Sequence, residues 1–190
     1  MPDMDNTLGE SAEKINIRGE LRYREPMSRH TTLRIGGPAD IYAVPADRDD
    51  LSVLIAFASE TGLPLQIIGG GANILVADAG IRGLVVDLSS LCTVTRRGDS
   101  LVAEAGASIS SVSERAALER LSGLEFIYAM PGSTGGAIWM NARCYGRSIS
   151  EVLEWIEYAD GDGNPGRLDM PHSGFSYKRS PFQGSGRTVY

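Results

Sequence analysis

Two cysteines and two histidines are all that this 190-residue chain offers a soft metal ion. Cys92 and Cys144 are too few for a disulfide framework and stand at the wrong spacing for zinc. With only His30 and His172 beside them, no metal constellation stands out. The polar, acidic start Met1-Pro2-Asp3-Met4-Asp5-Asn6 leads into no signal peptide and no apolar run of about 18 residues. A cytoplasmic location without a membrane partner is therefore expected. Basic runs are missing as well. Arg96-Arg97 is the densest pair, and a formal charge of −6 argues against nonspecific nucleic-acid binding. Neither Ser133 nor Ser180 has a His–Asp arrangement that would make it a hydrolase nucleophile.

What the chain does have is glycine in conspicuous places. Gly69-Gly70-Gly71-Ala72-Asn73-Ile74-Leu75 follows the apolar run Leu65-Gln66-Ile67-Ile68. Three glycines in a row remove every side chain where backbone N–H groups could close around an anion. The loop is not a P-loop, because no Lys-Ser/Thr follows it. It is not a standard dinucleotide turn either, because no third glycine opens a helix at that spacing. By itself the triplet reads equally as a tight turn or as a phosphate cradle. Pro131 to Gly136 forms a second glycine-rich loop.

The hydrophobic fraction of 42% is that of an ordinary globular protein. Residues 1–13 read as disordered or as a frayed helix, and Ile15–Leu21 as a short helix or strand. Pro26–Asp40 is loop-like. Ile41–Val44 is a strand candidate, and Asp47–Thr61 a helix capped by Asp49 or Asp50 and stopped by Gly62. Leu65–Ile68 and Leu84–Leu88 are further strands, an α/β signature for the first half. The second half begins with a hairpin around Arg97-Gly98-Asp99-Ser100, followed by a helix over Ser108–Leu121 ended by Gly123. A helical or compact piece over Ala137–Tyr145, a strand over Val152–Ala159 and a strand starting at Thr188 complete the expectation. Cys92 is expected in the core, and Cys144 as a small buried thiol. His30 and His172 read as ordinary loop histidines. The two lobes meet near Ser89, and the two glycine loops converge between them.

At Pro131-Gly132-Ser133-Thr134-Gly135-Gly136-Ala137-Ile138-Trp139-Met140-Asn141 a family resemblance enters. Thr31-Thr32-Leu33-Arg34-Ile35-Gly36-Gly37-Pro38-Ala39 precedes it, as does the Gly69 loop continuing through Asp78-Ala79-Gly80-Ile81-Arg82-Gly83. Phe175-Ser176-Tyr177-Lys178-Arg179-Ser180 follows it. In this order, across almost the whole chain, the four segments resemble the UDP-N-acetylenolpyruvoylglucosamine reductases, flavoenzymes that complete UDP-N-acetylmuramate in peptidoglycan precursor synthesis.

The resemblance implies an α+β, two-lobed FAD-binding domain of the vanillyl-alcohol oxidase type. Residues 1–20 would be an extension, 21–88 the first lobe, and 89–190 the second lobe with the first catalytic segment at its end. Gly69, Gly70, Gly71, Ala72, Asn73 and Ile74 would hold FAD without a covalent link, together with Pro131, Gly132, Ser133, Gly135, Gly136 and Ala137. Arg34 and Asn141 would be polar contacts near the flavin. NADPH would give the hydride and the enolpyruvyl sugar nucleotide would receive it. Tyr177 and Lys178 fall on the family's Tyr-Arg pair, with Arg179 one place later. Lysine there is a point charge that cannot clamp a carboxylate in a plane, so either Lys178 or Arg179 takes the arginine's role. The segment is expected to be extended, which sends the two side chains to opposite faces. Arg143 and Cys144 also depart from the family's small residues; Arg143 could add positive charge beside the flavin or the nicotinamide phosphate. Relatives of this type run on for about another hundred residues, which carry a serine proton donor and most of the sugar-nucleotide site. Two other readings share the motifs: a flavin oxidase of the same fold, with Cys144 as a covalent attachment point, and a non-catalytic FAD-binding fragment.

Overall fold

The first half builds a four-stranded sheet in the order β1-β2-β4-β3, from Glu20–Pro26 (β1), Pro38–Val44 (β2), Leu65–Ile68 (β3) and Ile81–Asp87 (β4). In this computed structural model the described residues are 15–172 and 174–190. The expectation for residues 1–13 therefore lies outside them. β1 runs antiparallel to β2, and β2 and β3 both run parallel to β4. A central strand flanked on both sides needs apolar residues on both faces. Leu84, Val85 and Val86 supply them, and none retains exposed surface. Leu84 and Val86 join Ile41 and Ala43 in the main core, whereas Val85 joins Tyr42, Ile68 and Met27 on the other face.

The helix between β2 and β3, Arg48–Thr61 (α1), lays Leu51, Leu54, Ile55 and Ala58 against the main core. Its cap is Asp47, rather than Asp49 or Asp50. The Asp47 carboxylate accepts from the N–H groups of both those residues at 3.1 Å. Asp50 turns instead towards the chain entering β1. At the other end Gly62 takes the left-handed conformation, and the Leu63 N–H bonds back to the Ala58 carbonyl at 3.0 Å.

Among the described residues the other three sheets draw only on residues after Ser89. Val94–Arg97 (β5) and Ser100–Ala103 (β6) pair as the expected hairpin, with Gly98 and Asp99 as its two-residue loop. The helix Ile109–Leu118 (α2) is shorter than expected. Arg120, not Gly123, closes it: Arg120 sits at φ 58°, its N–H bonds to Ala117 and the Leu121 N–H to Ala116. The second glycine loop is itself the start of a helix, Thr134–Trp139 (α3). Arg143–Cys144 (β7) and Arg147–Ser148 (β8) form a small hairpin beyond it. Trp155–Ala159 (β9) then pairs with Pro165–Asp169 (β10) on one side and Thr188–Val189 (β11) on the other. The main core runs through both halves, since Ile138, Ile156, Ala159 and Phe182 pack into the cluster that holds Leu54 and Leu84. Cys92 is exposed, contrary to expectation, because it sits in the turn just before β5.

Candidate functional site

β3 ends at Ile68 and delivers Gly69, Gly70 and Gly71 into contact with both other motif segments. A methyl group on Gly69 would stand 2.0 Å from the Ser133 hydroxyl oxygen. One on Gly70 would lie 3.3 Å from the Gly132 Cα, and one on Gly71 would lie 2.0 Å from the His30 carbonyl oxygen. The Thr32 N–H donates to the Gly71 carbonyl at 3.0 Å. At Gly71 glycine is required by close approach of backbone to backbone; at Gly69 the obstacle is the Ser133 side chain, and at Gly70 the fit is tight against the Gly132 backbone. The loop is the junction of the Thr31 segment and the Pro131 loop.

The Thr31 segment rests on a polar platform. The His30 ring stacks on Tyr42 with centroids 4.2 Å apart. Its Nε2 lies 2.9 Å from Glu25 Oε1, and its Nδ1 lies 2.9 Å from the Tyr42 hydroxyl. Tyr42 in turn donates to Asp87 at the end of β4. The hydrogen bond with His30 holds the Glu25 carboxyl below the usual carboxylate range, against the opposing effect of burial. Burial, then the bond to Asp87, pushes the Tyr42 phenol well above its ordinary value. His30 is thus built into the fold rather than being an ordinary loop histidine. Its place just before Thr31-Thr32, and Glu25 five residues back, were the signals available in the sequence. The turn beyond, closed by the Arg34 N–H on the Thr31 carbonyl at 3.0 Å, leaves Leu33 and Arg34 exposed.

In the second loop Ser133 caps α3, its hydroxyl accepting from the Gly136 N–H at 3.2 Å. Thr134 and Gly135 N–H groups are consumed by the Ala107 and Ala105 carbonyls. By contrast, among the described residues the N–H groups of Gly70, Gly71, Ala72, Gly132 and Ser133 donate to no acceptor. Two adjoining loops with free N–H donors and no side chains in the way suit a diphosphate, whose charge they can neutralise without lysine. An apolar cavity of about 350 Å³ opens beside the first loop, lined by Ile68, Ile74, Leu75 and Val76 among others. A second cavity, about 410 Å³, is bordered by Asp47, Asp49 and Glu104 and touches none of these segments. The residues present fit a flavin dinucleotide.

The opposite end of α3 holds the Tyr177 segment. Asn141 is 3% exposed and takes a positive φ of 44°. Its Nδ2 donates to the Ser176 carbonyl at 2.8 Å, and its Oδ1 accepts from the Ser150 N–H at 3.3 Å. Ser180 and Gln183 both donate to the Trp139 carbonyl. The segment is a turn, not extended. Ser176 and Arg179 exchange both backbone hydrogen bonds, and Lys178 sits at φ 53°. Tyr177, Lys178 and Arg179 all face solvent at this tip. Arg34, exposed on the Thr31 turn, makes no ion pair among the described residues.

A family model for the FAD binding domain matches residues 39–169. The chain belongs to the FAD binding domain family. Within that family it is 44% identical over 180 residues to a UDP-N-acetylenolpyruvoylglucosamine reductase from Caldanaerobacter subterraneus subsp. tengcongensis, covering 95% of this chain and 60% of the relative. It is 45% identical over 146 residues to the enzyme so named from Geotalea uraniireducens, covering 76% and 49%. The crystal structure of a UDP-N-acetylenolpyruvylglucosamine reductase from Thermus caldophilus superposes with a TM-score of 0.74 at 28% identity, over 92% of this chain and 60% of that one. A 6-hydroxy-D-nicotine oxidase from Arthrobacter nicotinovorans, at 17% identity and a TM-score of 0.69 over 83% and 37%, shares the fold alone. The chain thus spans about 60% or less of the length of these relatives. The α+β, two-lobed FAD-binding fold expected from the motifs is the one present. Among the described residues no helix is long and apolar enough to cross a membrane.

Asn141→Ala is expected to loosen the Ser176–Arg179 turn while leaving the two glycine loops in place. It removes a buried donor and acceptor at a cost of about 1–3 kcal/mol and forces alanine into a left-handed conformation. A lower melting temperature with flavin content preserved is the expected result. Equal loss of flavin would instead place Asn141 in the cradle itself.

Proposed function

We propose that this chain is the FAD-binding part of an NADPH-dependent reductase that converts the enolpyruvyl ether of UDP-N-acetylglucosamine to UDP-N-acetylmuramate. The observation that carries the reading is the convergence of the three glycine-bearing segments. The helix that starts in the second loop also pins the Tyr177–Lys178 turn at its far end. FAD, when bound, accepts and returns the hydride. The chain's own residues hold and orient. The free N–H groups of Gly70, Gly71, Ala72, Gly132 and Ser133 would donate to the pyrophosphate, and Gly69, Asn73, Ile74, Pro131, Gly135, Gly136 and Ala137 would complete the walls of the two loops around FAD. Arg34 and Asn141 are proposed as polar groups near the flavin, Arg34 from the exposed Thr31 turn and Asn141 through its bond to the Ser176 carbonyl.

Hydride addition to the enolpyruvyl double bond builds negative charge on the substrate's carboxylate, and a preorganised cation lowers the cost of that charge. Lys178 is the side chain proposed for it, and Tyr177 for packing and hydrogen bonding beside it. Arg179 is the alternative cation. Because the segment is a turn, both cations lie at one exposed tip, and the opposite-face argument no longer separates them. The division into an extension (1–20), a first lobe (21–88) and a second lobe (89–190) is retained as part of this proposal, as is a cytoplasmic setting. Cys144 packs with the Ile127 and Ile149 cluster, which favours a non-covalent flavin.

The visible spectrum of the purified protein tests the reading. Flavin bands near-stoichiometric with protein are expected, with the colour released on acid denaturation. NADPH oxidation by the full-length protein is expected to require the enolpyruvyl sugar nucleotide. A colourless protein overturns the cofactor, and colour retained by the denatured polypeptide favours a covalent oxidase. A yellow protein that ignores the sugar nucleotide leaves only a flavin-binding module.

A further inference from the structure

His30 has a hydrogen-bonding neighbour at each ring nitrogen, and neither neighbour has a proton to spare. Nδ1 lies 2.9 Å from the Tyr42 hydroxyl, and Nε2 lies 2.9 Å from Glu25 Oε1. Tyr42 carries one hydroxyl proton, which it donates to Asp87 Oδ2. Burial pushes this phenol well above its ordinary value, so the proton stays on it. Towards His30 the hydroxyl oxygen can therefore only accept. The Glu25 carboxyl, held low by its bond to His30, is ionised and also only accepts. Both contacts need a proton on the ring side. A neutral imidazole carries one such proton and an imidazolium carries two.

The charges around the ring agree. Glu25 and Asp87 are both buried. Arg22 and Arg29 each reach Glu25 at 3.5 Å. Asp87 accepts the Ser89 N–H at 2.8 Å, but among the described residues no lysine or arginine comes within ion-pair distance of it. Its basic neighbour is His30, with Nδ1 at 3.9 Å. A buried carboxylate without a cation is costly. The groups facing the ring are thus Glu25, with Arg22 and Arg29 behind it, from β1 and the turn that follows, Tyr42 from β2, and Asp87 from the end of β4. His172 is the contrast. Its Nδ1 accepts the Gly174 N–H at 3.0 Å and so carries no proton there.

We propose that His30 is a buried imidazolium and a positioning residue for the first glycine loop. Protonated on both nitrogens, it ties Glu25 to the Tyr42–Asp87 pair and so fixes its own carbonyl against Gly71. The contact with the loop is through backbone. A methyl on Gly71 would stand 2.0 Å from the His30 carbonyl oxygen, and the Thr32 N–H donates to the Gly71 carbonyl at 3.0 Å. Loss of either ring proton turns a lone pair towards the Glu25 or the Tyr42 oxygen and frees the Thr31 segment on that side of the loop. Only the naming of FAD as the occupant rests on the reductase reading; the two ring protons stand on the hydrogen bonds.

Ring-nitrogen NMR of the chain, isotopically labelled at histidine, counts the protons directly. With two histidines in the sequence, His172→Gln assigns the spectrum. At neutral pH, His30 is expected to show two protonated ring nitrogens and His172 one. A bare ring nitrogen on His30 overturns the proposal. As pH is raised, the amide signals of residues 69–75 are expected to shift in step with loss of the second His30 ring proton, with or without flavin. Flavin binding is expected to weaken about tenfold over the same titration, the loss of one charge-assisted hydrogen bond. His30→Gln should begin with the weaker binding and show no such step. Loop signals that stay fixed while the ring titrates, or the same step kept in His30→Gln, overturn the positioning role. A chain that takes up no flavin, yet shows both ring protons and the coupled loop shifts, sinks the cofactor reading and leaves this proposal standing.

Discussion

Gly71→Ala is expected to reduce bound flavin at least tenfold in a chain that still folds. The backbone of Gly71 lies at φ 61°, where an L-residue costs about 1–2 kcal/mol before any contact is considered. The added methyl would then meet the His30 carbonyl oxygen at 2.0 Å and the Thr31 Cα at 3.1 Å. Both are backbone, so neither can rotate away. His30 is itself held by Tyr42 and Glu25, so the easier movement is of the glycine loop, away from the Pro131 loop it touches. Gly98→Ala is the matched control. Gly98 has the same φ of 61°, and nothing lies within 4 Å of the added methyl. It carries the conformational cost without the collision. The absorbance ratio of flavin to protein in the two variants checks the argument. Equal flavin in both would show that contact with the Thr31 segment does not shape the cradle.

The same loop shows what was legible in the chain. Glycines that must make room for backbone declare themselves locally, so both loops and their convergence were readable. The α1 helix was readable because its apolar spacing and terminal Gly62 are local too. Its cap was misplaced by two or three residues because Asp47, Asp49 and Asp50 are chemically equivalent in sequence; only the fold assigns Asp50 elsewhere. β1 was not readable. Glu20–Pro26 carries charges at four of seven positions, as an edge strand paired on one side can, and its alternation spans only Glu20 to Arg24 before Glu25 and Pro26 break it. β10 opens with Pro165-Gly166, which signals a turn, and pairs all the same because it too lies at an edge.

The candidate site was legible in its residue types and opaque in its connections. Lys178 at a left-handed position and the bond from Asn141 to Ser176 join segments 35 residues apart, and no periodicity announces such a bond. Arg179, two residues after Tyr177, and Arg143, far from it in sequence, were both visible as charges. Only folding distinguishes the one whose guanidinium lies over the ring from the one whose backbone closes the turn.

Asp50→Ala is expected to cost about 3 kcal/mol of stability, the order found when a buried, hydrogen-bonded charge is removed and its partners are left behind. The Asp50 carboxylate is buried at the first turn of α1 and accepts the N–H groups of Arg18 at 3.1 Å, Gly19 at 2.9 Å and Ala46 at 2.9 Å. It therefore ties the chain entering β1 to the chain leaving β2. Burial alone would raise its pKa; the N–H donors of Ala46, Arg18 and Gly19, with the Arg18 charge, outweigh it and leave the group below the usual carboxylate value. A carboxyl whose pKa is lower folded than unfolded binds fewer protons in the native state. Its contribution is complete above the unfolded value of about 3.9 and is lost as pH falls through the folded value. Glu25, held low by its bond to His30, acts in the same direction and window. Melting temperature measured from pH 7 down to pH 3 is expected to fall steeply below about pH 4 in the wild type. Asp50→Ala should start lower at pH 7 and lose less across the acid range, and Asp50→Asn, which keeps one acceptor oxygen, should lie between them. Parallel curves for wild type and Asp50→Ala would move the acid lability to another carboxylate.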